Sequence, residues 1–167
     1  MAWRSLSGQR ARENKKFVYG VVRMGARARD FEESLQWLRD YGVVYRVPRV
    51  STLRFPLSGY ESVSGFKLFC VDVGLLGALA GLDPSVALGG SSLFTEFKGA
   101  MTEQYVAQEL SGLGLLPVYW SSSTGSAEVD FAIDHRAGAL PIEVDVSKIE
   151  FGDVIDIYPY DGKIEKN

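Results

Sequence analysis

The stretch EVDFAIDHRAGALPIEVDV, residues 128–146, sets acidic residues into two apolar runs. A carboxylate in a core is costly unless something compensates it, and a metal ion is the usual compensation. Read as strands, the first run puts Val129, Phe131 and Ile133 on one face and Glu128, Asp130 and Ala132 on the other. The second puts Ile142, Val144 and Val146 opposite Glu143 and Asp145. Pairing the strands with apolar faces matched gathers Asp130, Glu143 and Asp145 on the opposite side, where Glu103 of the preceding helical segment can pack over them. Such hard oxygen donors suit Mg²⁺ or Mn²⁺. A bound ion of this kind activates water and stabilises charge on a phosphate in flight. The bland alternative is a one-sided sheet with a wet acidic face, Glu103 facing solvent and Asp145 at an edge.

The elements that must position these acids follow from the patterning. Residues 11–25 read as a short helix closing near Gly25. In RDFEESLQWLRDYG, Asp30 and Glu33 form a capping box, Phe31, Leu35, Leu38 and Tyr41 share a helical face, and Gly42 closes the helix. VVYRVPRV and LRFPL are β-prone, each with a proline that confines it to an edge or turn. FKLFCVD, 66–72, is a buried strand and GLLGALAGL a short helix. The segment 92–114 is the longest helical pattern, with Phe94, Phe97, Met101, Tyr105 or Val106, and Leu110 at helical spacing. Strands LPVYWSS, AEVDFAI and LPIEVDV follow, and the order helix–strand–strand–strand implies an α/β layer.

The net charge of −3 hides a split. Residues 1–60 hold 12 basic and 5 acidic side chains, +7, and residues 61–167 hold 6 and 16, −10. Helices followed by a β-ribbon, with Arg23, Arg27, Arg29, Arg46, Arg49 and Arg54 nearby, suggest a small winged-helix module gripping DNA through its phosphates. A solvated arginine rim is the alternative. The single cysteine, Cys70, excludes an internal disulfide and cysteine-cluster metal sites, and a reducing cytoplasm fits best. No apolar run approaches the roughly 20 residues of a membrane span. The only histidine, His135, lies in a turn, against Ser–His or Cys–His nucleophile chemistry.

A glutamate on a helix, then E-V-D-F, then P-I-E-V resembles the signature of the PD-(D/E)XK nuclease-like fold. More closely, ENKKFVYGVV, GARARDFEESLQWL, FKLFCVDVGLL, FKGAMTEQYVAQEL, VYWSSSTGSAEVDF and PIEV resemble the C-terminal part of a prokaryotic AAA+ ATPase family carrying such a domain. Residues 1–62 read as the basic winged-helix-like region, and the resemblance implies a truncated restriction-endonuclease-like α/β core over 63–146. It implies Glu103 as the helical acid, Asp130 as the metal-binding aspartate and Glu143 as the following acid. The family's lysine, two positions after that glutamate, is replaced by Asp145, which cannot supply an ammonium. Lys98 and Lys148 are the candidates to stand in.

Two departures qualify the likeness. No G-x-x-x-x-G-K-[ST] phosphate loop occurs, so ATP binding of that kind is not expected, and the chain reads as a fragment or separately coded remnant. After PIEV the tail 147–167 leaves the family: GDVIDIYPYDGKI resembles a segment of bacterial aconitate hydratases of the second type, without their cluster cysteines. On its own residues the tail reads as a β-hairpin about Asp-Gly. The first expectation is a DNA-associated, non-catalytic module with a degenerate nuclease-like fold. The alternatives are an active Mg²⁺-dependent DNA nuclease, and a protein-interaction domain docking a partner such as a separate ATPase subunit.

Overall fold

A computed structural model describes residues 2–10, 16–25, 27–83, 92–124 and 126–145. The expected tail hairpin and Lys148 lie outside the described residues.

The fold is α/β, as the patterning indicates. Helices α1 (Ala2–Arg10), α2 (Tyr19–Val22) and α3 (Glu32–Asp40) precede strands β1 (Val44–Val50) and β2 (Glu61–Cys70). Helices α4 (Val73–Ala80) and α5 (Ser92–Gly112) follow, then β3 (Val118–Ser121), β4 (Glu128–His135) and β5 (Gly138–Ile142). All five strands form one sheet in the order β2-β1-β3-β4-β5. Neighbours are antiparallel except β1 and β3, which run parallel with Arg49 opposite Tyr119.

Helices pack on both faces. Beneath α5, Val106, Ala107 and Leu110 meet Val47, Phe69, Tyr119, Phe131, Ile133 and Ile142. On the other face Leu6, Leu35 and Leu76 from three helices meet Val44, Phe66, Leu68 and Cys70. This is the period-two alternation of β2 made physical: Phe66, Leu68 and Cys70 look one way and Lys67 and Phe69 the other.

Several local expectations shift. Asp30 is the last residue of a 3-10 turn, Ala28–Asp30, and its carboxylate accepts from the Arg27 amide at 2.9 Å, so the capping box joins Arg27 to Asp30 and not Asp30 to Glu33. Tyr41 leaves the packed face of α3 and stacks on Trp37 at 5.1 Å, with both rings exposed. LRFPL is no strand; its place is taken by a loop with a cis Phe55–Pro56 bond and a 3-10 turn, Leu57–Tyr60. The expected ribbon of VVYRVPRV with LRFPL does not form; β1 pairs with β2 on one side and with β3 on the other. The sheet therefore runs across the expected 62/63 boundary.

Candidate functional site: carboxylates around a buried lysine

Lys67 is the centre of the site. It sits on β2 on the α5 side of the sheet and is 0% exposed. Its Nζ lies 4.8 Å from the centroid of the Tyr119 ring, 3.9 Å from Glu103 Oε2 and 2.5 Å from Glu128 Oε1. An ammonium without water needs such company, because burial of an unpaired charge costs several kcal/mol.

Glu103 is held in place by its helix. The next residue, Gln104, clamps the backbone of Cys70: its Oε1 accepts from Cys70 N at 2.9 Å and its Nε2 donates to Cys70 O at 2.6 Å. One turn on, Gln108 Oε1 accepts from Val73 N at 3.0 Å. These bonds fix α5 against the end of β2, and Glu103, 2% exposed, faces Lys67.

Glu128 opens β4 after a hydroxyl-rich turn. Ser122 Oγ accepts from Ala127 N at 3.1 Å, and Ser122 N donates to Ala127 O at 2.8 Å, which sets where the strand begins. Asp130 reaches the cluster through an irregularity. Val118 pairs with Ala132 and Trp120 with Val129, so Tyr119 alone opposes both Asp130 and Phe131. Such a bulge re-aims a side chain.

Glu143 follows the end of β5. It hydrogen-bonds Asp130, whose other contact is an amide bond accepted from Val144 N at 3.0 Å. Burial, the Asp130 charge and the Asp130 hydrogen bond, with Glu128 behind them, push the Glu143 carboxyl up to about 7, while Lys67 pulls it down. Tyr119 is pushed up to about 12, first by burial and then by Glu128, with Arg49 opposing.

Glu103, Asp130 and Glu143 are thus brought to one region, together with Glu128 and Lys67. They meet on the face that also carries Phe131 and Ile133, not on the opposite face that strict alternation predicts. Asp145 is exposed beyond the strand. Lys67, which sequence reasoning missed, places an ammonium beside Glu103 and Glu128. Its signal was a lone lysine inside the apolar run FKLFC.

The fit of a divalent ion can be judged from this arrangement. Among the described residues, no group of three or more His, Cys, Asp or Glu side chains is placed to hold a metal. Glu103 and Glu128 face the Lys67 ammonium, and Asp130 and Glu143 face each other. The residues do not fit a Mg²⁺ or Mn²⁺ ion as they stand.

Strands β1 and β3 carry further buried polar atoms. Arg49 Nη2 donates to Ser121 O at 2.7 Å, while Arg49 Nε, Tyr119 Oη and Ser121 Oγ are buried with no hydrogen-bond partner. The other arginines divide. Arg46 lies over the Phe66 ring at 4.7 Å. Arg23 and Arg29 approach Asp30 at 3.5 and 3.9 Å. Arg27 and Arg54 are exposed.

An α/β chain with acids gathered around a buried lysine has this much in common with known proteins. The family model described as a domain of unknown function, DUF8612, matches residues 1–86, just over half of the 167, and the chain belongs to that family. A second domain of unknown function, DUF4143, found in AAA-ATPase-associated proteins, matches residues 98–150. The chain is also similar to aconitate hydratase B of Escherichia coli K12 and of Salmonella typhimurium, 54% identical over 41 residues in each. The same enzyme from Pseudomonas aeruginosa is 58% identical over 31 residues. These matches take in 25% or 19% of this chain and only 5% or 4% of the enzymes. No solved structure matches the chain. No helix among the described residues is long and apolar enough to cross a membrane.

Proposed function

We propose that the chain is a DNA-associated module with a degenerate PD-(D/E)XK nuclease-like fold, akin to the C-terminal part of AAA+ ATPase-type proteins, and that it does not cleave. The observation that carries this reading is the Lys67 ammonium lodged between Glu103 and Glu128. The acids that would serve a metal are neutralised from within, and Asp145 stands where the resembled family has its lysine. The basic first 60 residues, +7, support an anionic partner, with Arg27 and Arg54 exposed for phosphate contact. A single buried cysteine, Cys70, suits a cytoplasmic setting.

Duplex DNA should be retained at low salt and released as salt rises. The double variant Arg27→Ala, Arg54→Ala should lower the slope of log affinity against log salt by about 2. Supercoiled plasmid incubated with Mn²⁺ should stay intact. Nicking that vanishes in Asp130→Ala would instead establish the active nuclease. Failure to retain DNA at any salt would remove the nucleic-acid partner and leave a protein partner docking on α5 and the acidic half.

A further inference from the structure

We infer that the cleft between Phe55 and the β4–β5 turn takes an unpaired nucleotide of DNA, its base stacked on Phe55 and its phosphate held by Arg136 with His135. The inference deepens the DNA-associated reading and rests on it for the class of ligand.

The cleft measures about 570 Å³ and is lined by Phe55, Asp134, His135, Arg136, Ala137 and Gly138. That volume suits a small ligand. Its two walls are tied together. Asp134 Oδ1 accepts from Leu57 N at 3.0 Å, and Leu57 is buried, so the loop that carries Phe55 is anchored to β4. The other wall is a tight hairpin. His135 pairs with Gly138, which leaves Arg136 and Ala137 as a two-residue turn. Gly138 closes it at φ 123°, a conformation that side chains rarely adopt.

The lining points to the ligand. The Phe55 ring is 62% exposed, whereas Trp37 and Tyr41, also exposed, already stack on each other. His135 Nδ1 accepts from Ala137 N at 3.4 Å, which makes Nε2 the donor of that ring. Arg136 and the neighbouring Arg54 are exposed, and no ion pair among the described residues engages either. With one Asp134 oxygen bonded to Leu57 N, the other can accept an exocyclic amine of a base. An aromatic face beside guanidinium groups is how proteins hold single strands, because every base has a π-face and every nucleotide a phosphate. A duplex keeps its bases stacked inside and offers such a cleft phosphates alone.

The inference is tested on the full chain by fluorescence anisotropy with a labelled short oligothymidylate and a duplex of equal length. Wild type should bind the single strand more tightly. Phe55→Ala should weaken the single strand by about tenfold or more and the duplex by less than about twofold. Its melting temperature should stay at the wild-type value, since the ring is exposed. Phe55→Trp should keep single-strand affinity. Arg136→Ala should lower the slope of log affinity against log salt by about 1. A Phe55→Ala chain that holds the single strand as wild type does would overturn the inference. So would equal losses for strand and duplex, or an unchanged salt slope in Arg136→Ala. Thymidine monophosphate should displace the oligonucleotide only in large excess; displacement at equal concentration would make this a free-nucleotide site and overturn the assignment to a strand. Duplex retention with no effect of Phe55 sinks the cleft and spares the DNA-associated reading. Plasmid nicking that vanishes in Asp130→Ala sinks the non-cleaving reading and spares the cleft, and binding of neither form sinks both.

Discussion

Burial, the Asp130 charge and a hydrogen bond with Asp130 hold a proton on the Glu143 carboxyl near neutrality. Glu143 ordinarily titrates at 4.5 and is pushed up to about 7 in the folded chain, with Glu128 adding to the push and Lys67 resisting it. The folded state therefore holds this proton more tightly than the unfolded one. The stability it contributes is fully present below the ordinary value and is lost as pH rises through about 7. Melting temperature should accordingly fall between about pH 5 and about pH 8, and Glu143→Gln should flatten that fall. A variant that falls as steeply as wild type would show that the proton sits elsewhere. Much of this chemistry was legible: Glu103, Asp130 and Glu143 are visible as acids in strand and helix patterns. Lys67 was missed because a charge in an apolar run announces that it needs partners without saying where they are. Those partners come from positions 103 and 128, far along the chain.

At the scale of elements, α5 holds the site by two glutamines and its apolar stripe. Gln104 satisfies both backbone groups of Cys70, which are otherwise buried. Gln104→Leu keeps the volume and orphans both groups, an expected loss of about 2–4 kcal/mol in chemical denaturation. The same variant should loosen Glu103 against Lys67, so hydrogen exchange should quicken at the Cys70 amide before the rest of β2. An unchanged denaturation midpoint would show that the clamp is incidental. Helix α5 was readable from its spacing, and β3, β4 and β5 from their alternation. The facing of Asp130 was not, because one additional residue on β4 opposite Tyr119 breaks the alternation, and a bulge depends on the partner strand. Glu143 escaped for a related reason: β5 stops at Ile142, so the period-two rule no longer governs the next residue.

Across the whole molecule, β1 binds the two halves into one sheet. The basic first third and the acidic remainder suggested separate units, since composition records charge and not pairing. The parallel contact between β1 and β3 is non-local and has no sequence signature. A fragment starting at residue 63 loses β1 from between β2 and β3 and should not unfold cooperatively, as circular dichroism against temperature will show; a sharp transition would restore an independent core. The pairing of Arg49 with Tyr119 also bears on synthesis. As the chain emerges from the ribosome, β1 waits with one side unpaired until residues some 70 positions later have been translated. Its unsatisfied backbone is an early sticky surface, so slowing translation should lengthen the interval in which newborn chains need a chaperone.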